Sequence, residues 1–396
     1  MNAVATLRSD TEGFVEDGFS VLKPICSIPT DSTELFQSLA WNGDGTLLAI
    51  HEADRRIKLL PWTENSIPAR RENGVFADGG SLQLPTSIRS YEWHPTRLSL
   101  LALAARDEPI ALMDTGSGTR TASFYLQDHN EQFIAPHSIQ ITIDGRHLVA
   151  ATKHQVVTFS LEQGGIRTPI EVLATCGRDI PLWEPQMKGI LSCAQLQPMS
   201  MTSGGATGVI AIGSFDNSLG IYDHYTSRPC QLKISLEHGT GVSCLRWSPD
   251  GLQLFAASRQ SDVIECWDVR ACRSLYTIQR PGRTNQRLVF DVLDNGMLVS
   301  GATDGTIRLW RGEELIKSWD GSAGTGIAVN CVHQRPSDAN KPTVLASTYG
   351  DRAAAAAALL QPSSDSPLGP LSEAYIAKAA APISAAAVWD VDCLRL

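Results

Sequence analysis

The chain lacks an excess of positive charge. Its 396 residues hold 33 lysines and arginines against 42 aspartates and glutamates, a formal net charge of −9. A broadly basic surface is therefore excluded, and DNA is not an expected partner; any RNA contact must rest on a local patch. The chain also lacks any run of about 18 apolar residues, so no membrane-crossing helix is expected. Its opening, MNAVATLRSDTEGFVEDG, has acidic side chains and no apolar segment, which does not read as a secretory signal. The 9 cysteines contain no C-x-x-C pair and several sit in apolar runs. They read as reduced, buried thiols of an intracellular protein rather than as a zinc site or a disulfide framework. No H-E-x-x-H, G-x-S-x-G, P-loop or EF-hand pattern occurs. Gly321, Gly324 and Gly326 precede a strand rather than a helix, so they lack the helix N-terminus that holds phosphate. No enzyme, metal or cofactor is expected.

What the chain has is a phrase written twice between residues 242 and 310. An alternating apolar run (Cys244, Leu245, Trp247; then Val289, Phe290, Val292) leads to a turn with Gly251 or Gly296. A second apolar run, a tight turn with Asp262 or Asp304, and a third run ending on Trp267-Asp268 or Trp310 follow. The period is about 43 residues, the length of one four-stranded blade of the WD40 type. Alternation bounded by Gly, Pro, Asn and Asp is the signature of strands joined by hairpins.

Aligning the whole chain to the Trp310 slot gives Leu60, Met113, Phe159, Tyr222, Trp267, Trp310 and Trp389, hence seven units. First-strand runs recur as well, at Trp41, Trp93, Ile141, Leu196, Trp247, Phe290 and Val332. The predicted fold is all-β, a seven-bladed WD40 β-propeller over residues 14–396, with residues 1–13 disordered. The segment FSVLKPICSIP is expected to complete the last blade. That blade is split by a low-complexity Ala/Ser/Pro insertion at about 353–387, whose composition cannot bury enough apolar surface to order it.

Asp recurs six positions before the slot, at Asp54, Asp107, Asp216 and Asp304, with Asp262 five before Trp267. An Asp there accepts backbone N–H groups in the turn between second and third strands. His238, beside Gly239, is expected to join Ser258 and Trp267 in one structural network, and His137 is a weaker equivalent. The same turns carry five basic residues: Arg55, Arg56, Arg106, Lys153 and Arg259. Arg280 and Arg283 lie in a link between blades on the same face. Single-stranded RNA is read by stacking and hydrogen bonds, and Arg contributes to both. The alternative is an ordinary solvated face, since each turn also carries Asp.

Specific phrases go beyond the repeat. The segment DEPIALMDTGSGTRTASFYLQDHNEQFIAPHSIQITIDG, the pair GILSCAQLQP and IAIGSFDNSLGIYD, and the pair ECWDVR and RTNQRLVFDV resemble successive blades of the telomerase Cajal body protein family. The resemblance spans roughly residues 35 to 352 and the closing strand, and includes a split last blade. Met113 stands where the family's second blade has Trp. The resemblance implies a monomeric nuclear scaffold that binds a short single-stranded box in a small nuclear RNA, and its RNP proteins, through the propeller faces. It implies a role in small-RNP biogenesis or nuclear-body localisation. Compact relatives point instead to a splicing factor on a spliceosomal snRNP. A protein–protein adaptor without RNA contact is the reading from another class.

Overall fold

Short runs with Val, Ile, Leu or an aromatic at alternate positions fold as strands because one face of each can be buried, and Gly- or Asp-containing turns end them. The computed structural model describes residues 26–29, 36–52, 55–62, 80–162, 164–178, 180–181, 184–198, 208–223, 230–322, 328–336, 344–350 and 384–390. After β1 (Cys26–Pro29), blade 1 comprises β2 (Phe36–Trp41), β3 (Leu47–Glu52), β4 (Arg56–Pro61) and β5 (Ser81–Gln83). Blade 2 has β6 (Ile88–Trp93), β7 (Leu100–Ala105), β8 (Ile110–Asp114) and β9 (Thr119–Phe124). In blade 3, β10 (Ser138–Ile141), β11 (His147–Ala151) and β12 (Gln155–Ser160) lead through β13 (Gly165–Arg167) to β14 (Glu171–Ala174). Blade 4 is β15 (Leu191–Leu196), β16 (Val209–Ser214), β17 (Ser218–Asp223) and β18 (Leu232–Ser235). Blade 5 is β19 (Val242–Trp247), β20 (Gln253–Ser258), β21 (Val263–Asp268) and β22 (Arg273–Gln279). Blade 6 is β23 (Phe290–Val292), β24 (Leu298–Gly301), β25 (Thr306–Arg311) and β26 (Glu314–Asp320). Blade 7 is β27 (Val329–Gln334), β28 (Val344–Gly350) and β29 (Ser384–Asp390), with β1 as its outer strand.

The fold is the expected all-β, seven-bladed WD40 propeller. All seven slot residues fall in third strands. Six of them are buried, and each buried aromatic contributes roughly 1.5–3 kcal/mol; Met113 is half-buried. Trp389 packs edge-to-face on Trp319 of blade 6 at 6.3 Å and donates its indole N–H to Ser347 at 2.8 Å, so the split blade is tied to its neighbour and to itself.

One boundary differs from expectation. The insertion was expected to run to residue 387, but β29 begins at Ser384 and pairs with β28 along seven positions. Ala385, Ala386 and Ala387 are buried there: alanine reads as low complexity, yet it fits a sheet packed between two blades. Residues 1–13 and 353–383 lie outside the described residues. One strand, β13, stands outside the repeat pattern. The connection out of β12 turns at Gly165, whose φ of 90° favours glycine, and pairs parallel with β9 before returning as β14, so blade 2 has five strands.

Candidate functional site

In this topology the turns between second and third strands share one face with the links that lead into the next innermost strand. Arg55, Arg106, Lys153 and Arg259 occupy four such turns, Arg56 is the first residue of β4, and Arg283 lies in the link from β22 to β23. On the outer rim these cations are engaged locally. Arg56 pairs with Glu52 at 3.6 Å, Arg106 with Asp107 at 3.9 Å and Arg283 with Asp262 at 3.0 Å. Arg55 donates to the Pro85 carbonyl at 3.3 Å, and Lys153 is exposed.

Arg280 does not join that face. It is only 2% exposed, donates to Ser300 Oγ at 2.9 Å, and burial pushes its guanidinium pKa down to about 10 against the pull of Cys244 and Asp262. A hydrophilic link reads as exposed in sequence. Here Asp262 accepts the backbone N–H groups of Gly282 (2.8 Å) and Arg283 (3.2 Å), which draws the link inward over blade 5.

The repeat aspartates divide. Asp216 and Asp304 accept the N–H two residues on, at 3.2 and 3.1 Å, as expected of turn residues. Asp107 instead sits at a φ of 56° beside Arg106, and Asp54 lies outside the described residues. The expected His238–Ser258–Trp267 network also differs. His238 Nδ1 is 3.1 Å from Glu265 Oε1, and Trp267 donates to Glu265 Oε2 at 3.1 Å. Ser258 donates to Asn217 of blade 4 at 2.8 Å. The buried Glu265 carboxylate is the hub because it accepts from both, which a hydroxyl on the neighbouring strand does not reach. Gly239 cannot carry a side chain here: its φ is 86° and a Cβ would lie 2.5 Å from that of Ser258. Trp310 is buried in the core of blade 6.

Sequence reasoning missed the mouth of the central channel. On the same face as the turns, a cavity of about 480 Å³ is lined by Arg89, Arg259, Arg287, His51, His137 and amide side chains, and no carboxylate lines it among the described residues. Arg89 enters from β6, one residue after the turn-side end of the innermost strand. It donates to His137 Nδ1 at 3.3 Å. Burial first, then the Arg89 charge, hold the His137 pKa down at about 4, so the ring is neutral and can accept. Arg259 lies over the Phe215 ring at 4.1 Å, a cation–π contact between blades 5 and 4.

Arg287 is an exposed side chain at the end of the link before β23. That link is pinned: Gln286 donates to Asn330 Oδ1 and to the Gly350 carbonyl (2.9 Å), and its N–H donates to Thr284 Oγ1 at 3.0 Å. Neither Arg89 nor Arg287 has a carboxylate within ion-pair distance among the described residues. The signal available in the sequence was the phrase RTNQR itself; Arg89 had none, since nothing in a strand's alternation says which end of it opens on the channel.

Farther down the channel the polar groups are paired among themselves. Arg246 donates to Asp291 at 3.1 Å and to Gln195 at 3.0 Å, and Gln140 donates to Glu92 at 3.0 Å. Burial pushes the Glu92 pKa up to about 7, opposed by Arg246 and by the Gln140 hydrogen bond. The cysteines described include Cys193, Cys244 and Cys331, buried on innermost strands, and no group of three or more metal-ligating side chains occurs among the described residues.

The family described as WD domain, G-beta repeat matches residues 230–268 and 280–311. The chain is 33% identical over 326 residues to the guanine nucleotide-binding protein negative regulator 1 of Schizosaccharomyces pombe, covering 79% of each chain. It is 32% identical over 296 residues to the telomerase Cajal body protein 1 of Homo sapiens, and 28% identical over 291 residues to that of Bos taurus. Each of those two matches covers 71% of this chain, which spans about half the length of those relatives.

Proposed function

Because the chain belongs to the WD40 family that holds the Schizosaccharomyces pombe regulator and the telomerase Cajal body proteins, we propose that it is a non-enzymatic nuclear scaffold that binds a small nuclear RNA and its RNP proteins. The observation that carries this reading is the charge distribution. A chain of net charge −9 gathers three arginines around one cavity with no carboxylate in its lining among the described residues. A polyanion is drawn to such a face by its local potential rather than by net charge. The protein works as a platform: RNA on the turn face, protein partners on the remaining surface.

The test is ultraviolet crosslinking of the tagged protein in its own cells, followed by sequencing of the bound RNA. Enrichment of a discrete small nuclear RNA is expected; its identity separates small-RNP biogenesis from splicing. The Schizosaccharomyces pombe relative's name favours a second reading, a protein adaptor acting on a guanine nucleotide-binding protein. Background RNA together with co-purification of such a GTP-binding partner would establish the adaptor instead.

A further inference from the structure

We propose that the channel mouth is a pocket for a single nucleotide of single-stranded RNA, with a phosphate between Arg89 and Arg287 and the base stacked against the Arg259–Phe215 pair; this rests on the RNA-binding reading above. Size comes first. A cavity of about 480 Å³ admits one unstacked nucleotide, whereas a duplex is wider than any channel mouth of this volume. Charge comes next. Among the described residues Arg89 and Arg287 face the cavity with no carboxylate within ion-pair distance, unlike Arg56, Arg106 and Arg283 on the rim, so Arg287 and the Arg89 donors not given to His137 are available to a phosphate.

Preorganisation is the third argument. His137 orients Arg89, the Gln286 hydrogen bonds hold the link that carries Arg287, and Phe215 supports the guanidinium of Arg259 from one side. Arg259 and Phe215 both line the cavity, and a guanidinium or a ring plane there can stack a base of any kind. Asn285 lines the same cavity, is exposed, and supplies an amide donor and acceptor for a base edge. An acidic peptide would satisfy the arginines but would leave the Arg259–Phe215 pair and the Asn285 amide unused, which is why RNA is favoured.

The experiment measures fluorescence anisotropy of a labelled, randomised ten-nucleotide single-stranded RNA, an abasic strand of the same length, and a ten-residue polyglutamate peptide. The full chain is compared with R89Q/R287Q, with R287Q and R287K, and with the rim variant R55A/R106A/K153A/R283A. Thermal melting by circular dichroism checks each fold. The mouth double variant is expected to weaken RNA binding at least tenfold and to flatten its salt dependence by roughly 0.7, the counterion release of one neutralised phosphate on a single strand. R287K should keep more affinity than R287Q, and the abasic strand should bind several-fold more weakly than the intact one.

Unchanged RNA affinity in R89Q/R287Q overturns the pocket. If the rim variant loses binding at the same time, the RNA-binding reading survives without it. Absence of RNA binding by the unaltered chain removes both. Peptide binding that is lost in the mouth variants while RNA binding is not assigns the pocket to an acidic protein instead. If R89Q/R287Q melts early, R287Q decides: its side chain is exposed, and its loss of RNA affinity with an unchanged melt supports the pocket, whereas full affinity overturns it.

Discussion

The two levels of the central channel use the same side-chain types to opposite ends. At the lower level Arg246 is answered by Asp291 and Gln195, and Glu92 by Gln140. At the mouth Arg89 leans on a neutral histidine, and neither it nor Arg287 has a carboxylate within ion-pair distance among the described residues. A closed set of polar partners holds neighbouring blades in register, because each bond spans two innermost strands. An open set leaves charge available to something outside the chain. An arginine in a channel is thus uninformative until its partners are counted.

The largest effect that can break this comparison is at the lower level. Arg246→Ala strands the Asp291 carboxylate in a half-enclosed site and is expected to cost about 3 kcal/mol, read as a lowered midpoint in urea unfolding. A loss below about 1 kcal/mol would mean that the lower level is no more structural than the mouth.

Next comes pH. Glu92 takes up a proton more readily in the fold (pKa about 7) than its ordinary 4.5, so its contribution is fully present below about pH 4.5 and lost as pH rises through 7. Glu92→Gln should therefore be the more stable chain at pH 8, by on the order of 2 kcal/mol relative to the difference at pH 4.5. Melting curves of both chains across that range check it, and parallel curves would sink the idea. His137 works in the other direction at the mouth. Its lowered pKa, about 4 against an ordinary 6.5, removes stability only as pH falls from about 6.5 toward 4.

A smaller effect is expected from Phe215→Leu, which keeps the apolar packing but removes the ring beneath Arg259. Single-stranded RNA affinity should fall about fivefold, close to 1 kcal/mol, in the anisotropy assay. An unchanged affinity would detach Arg259 from recognition. The smallest effect belongs to the rim, where Arg106→Ala with Arg283→Ala should alter affinity less than about twofold, since each cation is exposed beside its own aspartate. A tenfold loss there would move the binding surface outward from the channel.

Much of the ring was legible in the sequence. The slot residues from Leu60 to Trp389 share one register because each third strand must bury the same face, and periodic burial leaves a periodic trace. The partners of those repeats were not legible. Glu265 rather than Ser258 bonds to His238, because which polar atoms meet across strands is decided by distance in space. Arg280 reads as a surface residue from its hydrophilic neighbours, and only the inward pull of Asp262 on the link buries it. Arg89 and Arg287 escaped because the channel mouth is assembled once, from all seven blades together, and leaves no repeat behind. β13 escaped for the same reason: a strand added to a neighbour's edge belongs to no blade's pattern.

The closing strand has a consequence for biosynthesis. β29 lies between β1 and β28, so both of those strands wait for it. It is also the last described strand to leave the ribosome. Blades 1 to 6 and strands β27 and β28 can pack as they emerge, but the outer edge of β28 stays bare and β1 lacks its neighbour until residues 384–390 are available. For all of that interval the nascent protein presents backbone donors and acceptors that another chain could pair with. A premature stop shortly before Ser384 would leave it permanently in that state, exposing more to chaperones and proteases than the loss of one short strand suggests.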